Sequence, residues 1–259
     1  MTKVLVLGAA GRIARQAIPM LDAAGAQLTL YARDASRVQA PAGARVVEAD
    51  VKDEGALAEA LAGQDVVYAN LGADLDVQAG ILVEAMGRAG VSRLIFVDAL
   101  GIYDELPPAF NDWNQSMIGE PLKVFRRAAD TVEASDLEWT ILRPAWLTDA
   151  DEVDYELTGR EETFRGTEVS RKSVAAFVAE LAAHPQLRAR RALGTRRAVS
   201  GHVSRPRRRH GRAHRRREPT RECAAPSPCA RRARSPGPGH RGARAPRGRR
   251  RGATTRNGW

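Results

Sequence analysis

At 259 residues the chain has room for one large domain or two small ones. Its formal net charge of +10 is unevenly spread: residues 195–259 hold 21 Arg, no Lys and only Glu218 and Glu222 as acids, a net +19, so residues 1–194 carry −9. No apolar stretch is long enough to span a membrane as a helix, and both cysteines, Cys223 and Cys229, fall in the basic segment, so no disulfide supports the first 194 residues.

The start, Met1-Thr2-Lys3-Val4, leads directly into a strand pattern and not into a signal peptide, and a cysteine-free acidic domain suits a reducing cytoplasm. "KVLVLG" (3–8) is a continuous apolar run, as expected of a strand buried on both faces. A helix is expected over about 11–24, with Ile13, Ala17 and Leu21 on one face and Gly25 as a stop. Strands follow at "QLTLYA" (27–32) and "ARVVEAD" (44–50), then a short helix at 56–63. "DVVYANLG" (65–72) reads as the fourth strand, 76–90 as a helix and "SRLIFVDAL" (92–100) as the fifth strand. A helix over 122–135 and a sixth strand over 138–146 come next. The last helix covers about 171–183, with Val174, Phe177, Val178 and Leu181 at helical spacing and Ser170 as its cap. Strands alternating with helices predict an α/β fold, a Rossmann-like doubly wound parallel sheet covered on both faces. Ligands of such sheets bind at the carboxyl ends of the strands.

The first strand runs into "GAAGRIA" (8–14), a G-x-x-G-x-x-A variant of the dinucleotide fingerprint. Gly8 permits a tight turn, Gly11 lets the backbone approach a pyrophosphate at the helix N-terminus, and Ala14 lets helix and strand pack closely. Ala10, Arg12 and Ile13 lie in the same loop. At the end of the second strand, NAD-preferring proteins place an acid for the ribose hydroxyls. Here the residues are Ala32-Arg33-Asp34. Arg33, with Arg12 nearby, suits a 2′-phosphate, which favours NADP(H); Asp34 is the rival that keeps NAD(H) open, and a surface salt bridge for Arg33 is the plain alternative. Asp50-Val51, ending the third strand, are placed to meet the adenine, and Asn70-Leu71-Gly72, ending the fourth, its ribose; ordinary loop chemistry accounts for either equally well.

Beyond these motifs the chain resembles the atypical short-chain dehydrogenase/reductases, in the NAD(P)H-binding group related to NmrA-like and flavin/biliverdin reductase-like proteins. The likeness is carried by "GAAGRIA" (8–14), "ANLG" (69–72), "GIYDELP" (101–107), residues 128–149 and residues 155–181, and it covers essentially all of 1–194. It implies NADP(H) in the crevice, a small C-terminal lobe over about 146–170, and Arg143-Pro144-Ala145-Trp146 along the nicotinamide half of the cofactor. It implies an oxidoreductase acting on a small carbonyl, quinone or flavin-like acceptor, or else a non-catalytic redox sensor of the NmrA-like kind.

The chain departs from the wider superfamily at the catalytic residues. Tyr103 is followed by Asp104-Glu105-Leu106-Pro107, so there is no Tyr-x-x-x-Lys, the pair that places both groups on one helical face for proton transfer. The fifth strand ends Val97-Asp98-Ala99-Leu100, where relatives usually carry Ser-Ser. The catalytic candidates are therefore Tyr103, Lys123 and Asp98. Tyr103 can equally pack or stack. Lys123 and Arg127, one turn apart, either reach the cofactor or are solvated helix charges.

The segment 195–259 lacks Leu, Ile, Phe, Met, Tyr, Asp and Gln and has little to bury, which predicts disorder. Its arginine runs would neutralise phosphates non-specifically in nucleic acid. Yet Arg, Ala, Gly and Pro make up 45 of its 65 residues, the composition of a GC-rich gene read out of frame, and the family likeness stops at Thr195. A frameshift near codon 195 is the favoured reading and a nucleic-acid arm the alternative. Cys223 and Cys229, with His210, His214 and His240 near, fit no standard metal spacing, so no metal is expected.

Overall fold

The computed structural model describes residues 1–198. The readings of the basic segment beyond them, from disorder to nucleic-acid contact, lie outside the described residues. The elements run β1 (Lys3–Leu7), α1 (Arg12–Ala23), β2 (Gln27–Ala32), β3 (Arg45–Glu48), α2 (Glu54–Leu61), β4 (Val66–Ala69), α3 (Leu75–Ala89) and β5 (Arg93–Val97). Then come α4 (Pro108–Glu133), β6 (Glu138–Pro144), β7 (Trp146–Thr148), β8 (Glu156–Thr158), β9 (Glu168–Ser170), α5 (Arg171–Ala183) and β10 (Arg191–Arg196).

β1 shows why its run is apolar at every position. Val4 and Val6 point into one core, with Ile13, Ala17 and Leu21 of α1 and Phe177 and Leu181 of α5. Leu5 and Leu7 point into the other, with Leu57 of α2, Leu82 of α3 and Phe125 of α4. A strand with a core on each face has no solvent side to spare. The sheet order is β3-β2-β1-β4-β5-β6-β10-β8. All neighbours are parallel except β8, which pairs antiparallel with β10. The direction of winding reverses between β1 and β4, which opens a crevice at their carboxyl ends.

Three features depart from the pattern read in sequence. The helix expected from 122 begins at Pro108, whose missing N–H costs nothing in the first turn. It bends at Ile118 (φ −140°, ψ 22°), three residues before Pro121. Within 146–170, β7 and β9 form a separate two-stranded parallel ribbon while β8 joins the main sheet. β10 crosses the composition break after Gly194: Thr195 is fully buried, its carbonyl accepts from Ala145 N at 2.9 Å, and Arg197 N donates to Glu168 O at 2.7 Å. The α5 cap is as expected, the Ser170 side chain accepting from Ser173 N at 2.9 Å.

Candidate functional site

The loop between β1 and α1 is built against the end of β4. Gly8 has φ +74°, and its N–H donates to Tyr31 O at 3.0 Å. A Cβ on Gly8 would stand 2.1 Å from Asn70 O, and one on Gly11 the same distance from Asn70 Nδ2. The two glycines therefore admit Asn70, whose N–H donates to Leu7 O at 3.0 Å. Gly11 is the N-cap of α1 and supplies no side-chain cap; the first turn holds no acid. Its outward N–H groups and the positive end of the helix dipole are thus left to face an anion.

That helix end opens on a cleft spanning the carboxyl ends of β1, β4, β5 and β6. Arg12 and Ile13 line it from α1, Asn70 and Leu71 from the end of β4, and Val97 and Asp98 from the end of β5. Pro144, Leu147, Phe125 and Arg171 complete it. Arg171, only 9% exposed, donates to Asp149 Oδ1 at 2.9 Å, and the other oxygen of Asp149 pairs with Arg12. Burial, and then the charge of Arg12, lower the proton affinity of Arg171. A single exposed carboxylate thus bridges two guanidinium groups at the mouth of the cleft.

Arg33 is exposed at the end of β2 and makes no ion pair among the described residues. Asp34 is occupied otherwise: its carboxylate accepts from Ser36 N at 3.1 Å and caps a short 3-10 turn. Asp50 accepts from Lys52 N through its carboxylate at 2.9 Å and from the Tyr31 hydroxyl through its carbonyl at 2.9 Å. Burial and the neighbouring Asp53 and Asp50 push the Tyr31 hydroxyl up to about 12. Val51 is buried, and Gly72 has open space where a Cβ would stand.

At the other end of the cleft the residues sort differently from the sequence-based expectation. Pro144 lines the cleft and Ala145 is buried beside it. Arg143, expected along the cofactor, is not among the residues that line the cleft. It is 0% exposed and pairs with Glu105, whose side chain is 2% exposed. The reason is the loop after β5: Glu105 also accepts from Gly101 N at 3.1 Å and Tyr103 N at 3.0 Å, so one buried carboxylate organises the loop and needs a cation. The Tyr103 hydroxyl donates to Glu133 at 2.6 Å, and its ring lies 5.1 Å from the guanidinium carbons of Arg126 and Arg143 and 4.2 Å from that of Arg160. Burial, then the bond to Glu133, hold this phenol far above its ordinary range. Lys123 lies on the solvent side of α4, paired with Glu120 at 2.7 Å, and Arg127 binds Asp76 at 2.8 Å. Both are helix-surface charges.

Asp98 is the candidate that the structure brings to the cleft. It is 5% exposed; Oδ1 accepts from Ala99 N at 2.7 Å, while Oδ2 is buried with no hydrogen-bond partner among the described residues. Burial raises its proton affinity well above the ordinary carboxylate range, against smaller opposing pulls from the Ala99 N–H and then Arg143. Among the described residues no cluster of His, Cys, Asp and Glu could hold a metal, and no helix is long and apolar enough to cross a membrane.

The model of a family described as NAD(P)H-binding matches residues 8–185. The chain belongs to the NAD(P)H-binding family. A Rossmann-fold NAD(P)-binding family protein from Shigella flexneri is 46% identical, with a TM-score of 0.68, over 80% of this chain and 98% of that one. A short-chain dehydrogenase/reductase of the wide type from Veillonella parvula, solved in complex with NADP, is 26% identical (TM-score 0.72; 80% and 99% covered). The fold is shared too by ChuY, an anaerobilin reductase from Escherichia coli O157:H7, at 22% identity (TM-score 0.66; 78% and 100% covered). No curated protein matches the chain.

For a member of the NAD(P)H-binding family, the residues present suit an anionic dinucleotide: an uncapped helix end, two arginines at the cleft mouth, and an exposed Arg33 beyond β2. Sequence reasoning missed Arg171, Asp149, Phe125 and Leu147 of the cleft. Arg171 was the first residue after a predicted cap, and a helix start aimed at the crevice was the available signal. Asp149 carried none.

Proposed function

We propose that this NAD(P)H-binding protein is an NADP(H)-dependent oxidoreductase of the atypical short-chain dehydrogenase/reductase type, reducing a small carbonyl, quinone or flavin-like acceptor in the cytoplasm. The observation that carries the cofactor preference is at the end of β2. Arg33 stands exposed without an ion pair among the described residues, and Asp34 is engaged with Ser36. A guanidinium there receives a 2′-phosphate, while the acid that would hold a ribose diol is turned to a capping task. When bound, the reduced cofactor supplies a hydride; the protein's own part is to hold it. The α1 end faces the pyrophosphate, Arg12 and Arg171 offer counter-charge, and Asp50, Val51, Asn70, Leu71 and Gly72 flank the adenosine side. Pro144 and Ala145 border the nicotinamide side, and apolar Val97, Phe125 and Leu147 exclude water from it.

The test is a fluorescence titration of the full chain with NADPH and with NADH. Arg33→Ala is expected to weaken NADPH about 10- to 100-fold, from the ~1.5–3 kcal/mol of a charge-assisted bond, and to leave NADH unchanged. Equal weakening of both cofactors would remove the case for NADP. A second reading, a non-catalytic redox sensor, is favoured by the engagement of Tyr103 with Glu133 and of Lys123 with Glu120. NADPH oxidation with any acceptor separates the two. Non-specific nucleic-acid binding through the basic segment is a third, tested by truncation after residue 198, which retains β10.

A further inference from the structure

The loop after β5 contains two buried carboxylates and one buried cation close to them. Glu105 takes Arg143 as its partner and two loop N–H groups besides. Asp98, at the carboxyl end of β5, has among the described residues a single backbone donor on Oδ1 and none on Oδ2. Of the other charged or titratable groups facing it, Arg143 on β6 favours its charged form, Glu105 in the loop and Glu133 on α4 oppose it, and Tyr103 is committed to Glu133; burial outweighs them all. An ionised carboxylate in that position would leave a buried lone pair unsatisfied beside two other acids. A neutral carboxylic acid has instead a hydrogen to donate, and the residue borders the cleft.

We propose that Asp98 is the proton donor of the reaction, a neutral carboxylic acid facing the oxygen of a carbonyl or quinone acceptor. This rests on the reading of the cleft as the NADP(H) site. When the acceptor carbon takes a hydride from the reduced nicotinamide cofactor, the electron pair of the C=O bond moves to oxygen. The O–H bond of Asp98 then breaks, its proton joins that oxygen to give the alcohol, and the electron pair stays on the carboxylate; from a quinone the product is the hydroxyketone, which becomes the hydroquinone when the added C–H is lost to solvent as a proton and the second oxygen takes a proton in its place. A proton from solvent restores the acid. The cofactor is oxidised by two electrons and the acceptor reduced by two. The proposal narrows the acceptor class, because an oxygen left anionic in an apolar cleft needs a nearby acid. It also accounts for the missing Tyr-x-x-x-Lys: a carboxylic acid that brings its own proton needs no lysine to tune it.

The experiment uses the full chain, NADPH, and 9,10-phenanthrenequinone as the probe acceptor. Asp98→Asn keeps shape and hydrogen bonding but has no acidic proton. It is expected to bind NADPH within about threefold of wild type and to lose at least ~100-fold in kcat with the quinone. Wild-type kcat should fall as pH rises and Asp98 ionises, whereas the residual rate of the variant should be flat with pH. Infrared difference spectra of wild type minus variant, with NADP+ bound at neutral pH, should show the carbonyl band of one protonated carboxylic acid. Asp98→Ser serves as the second variant should Asn fail to fold, with the same loss expected. An ionised Asp98 in the spectra, a variant within a few-fold of wild type, or a wild type that binds NADPH but reduces no quinone each overturns the proposal. A wild type that binds no NADPH overturns the cofactor reading beneath it.

Discussion

Glu105→Ala is expected to destabilise the fold by about 3–5 kcal/mol, measured by urea or thermal unfolding, because it leaves an uncompensated charge in a dry site. Arg143 is 0% exposed, and its Nε has no partner among the described residues. Without Glu105 the guanidinium keeps only a long bond to Ala192 O at 3.4 Å and the face of Tyr103. The N–H groups of Gly101 and Tyr103 lose their acceptor at the same time. Against a total stability of about 5–15 kcal/mol for a domain, this is a large fraction. The comparison that isolates the mechanism is the double replacement Glu105→Met with Arg143→Met, expected to cost far less than Glu105→Ala alone, since apolar groups of like volume leave no charge behind. Lys123→Ala, which removes an exposed pair with Glu120, should change stability by less than about 1 kcal/mol. A Glu105→Ala cost below ~1 kcal/mol would mean that Arg143 reaches water.

Gly8→Ala is expected to cost about 2–5 kcal/mol and to abolish measurable NADPH binding. Left-handed backbone contributes ~1–2 kcal/mol of this and overpacking ~1–3. The residue sits at φ +74°, and the new methyl would lie 2.1 Å from a backbone carbonyl, Asn70 O, which is fixed by the β1–β4 pairing. Relief requires β4 to move away from β1, and that shifts the loop that faces the cofactor. Gly87→Ala provides the contrast on α3, away from the cleft, with no positive φ and open space, and should leave NADPH binding unchanged without loss of stability. Circular dichroism alongside the NADPH titration separates loss of fold from loss of the site. A Gly8→Ala protein with wild-type affinity would show that the loop tolerates a side chain.

Much of the fold was legible because its signals are local. The strand–loop–helix of residues 3–23, the cap at Ser170 and the helix after it all announce themselves within a dozen residues. What escaped is non-local. β10 reads "RALGTR", with arginine at both ends and glycine inside, and becomes a strand only because Ile141 and Leu142 of β6 lie alongside. The first half of α4 lay outside the helix expected over 122–135, because Pro121 and Gly119, poor helix formers, stand just before it and just after the bend at Ile118. In the site, the glycine loop and the position of Asp98 followed from strand ends. The fate of Arg143 did not: its partner is 38 residues away, and sequence spacing cannot tell a guanidinium that lines a cleft from one that does not. The bridge from Arg12 to Asp149 spans 137 residues and was equally silent.

The position of β10 has a consequence for how the chain is made. β6 is complete at Pro144, but its neighbour on that side comes from Arg191–Arg196. On a ribosome adding about 5–20 residues per second, β6 waits several seconds with one row of N–H and C=O groups bare. A half-built sheet with a bare, apolar rim invites another nascent chain to dock there. β8 waits as well, since its only sheet neighbour among the described residues is β10. β10 therefore acts as a bolt, shot home only after its neighbours β6 and β8 have been made. Losing it to an early stop would leave both without their shared partner and expose the product to clumping.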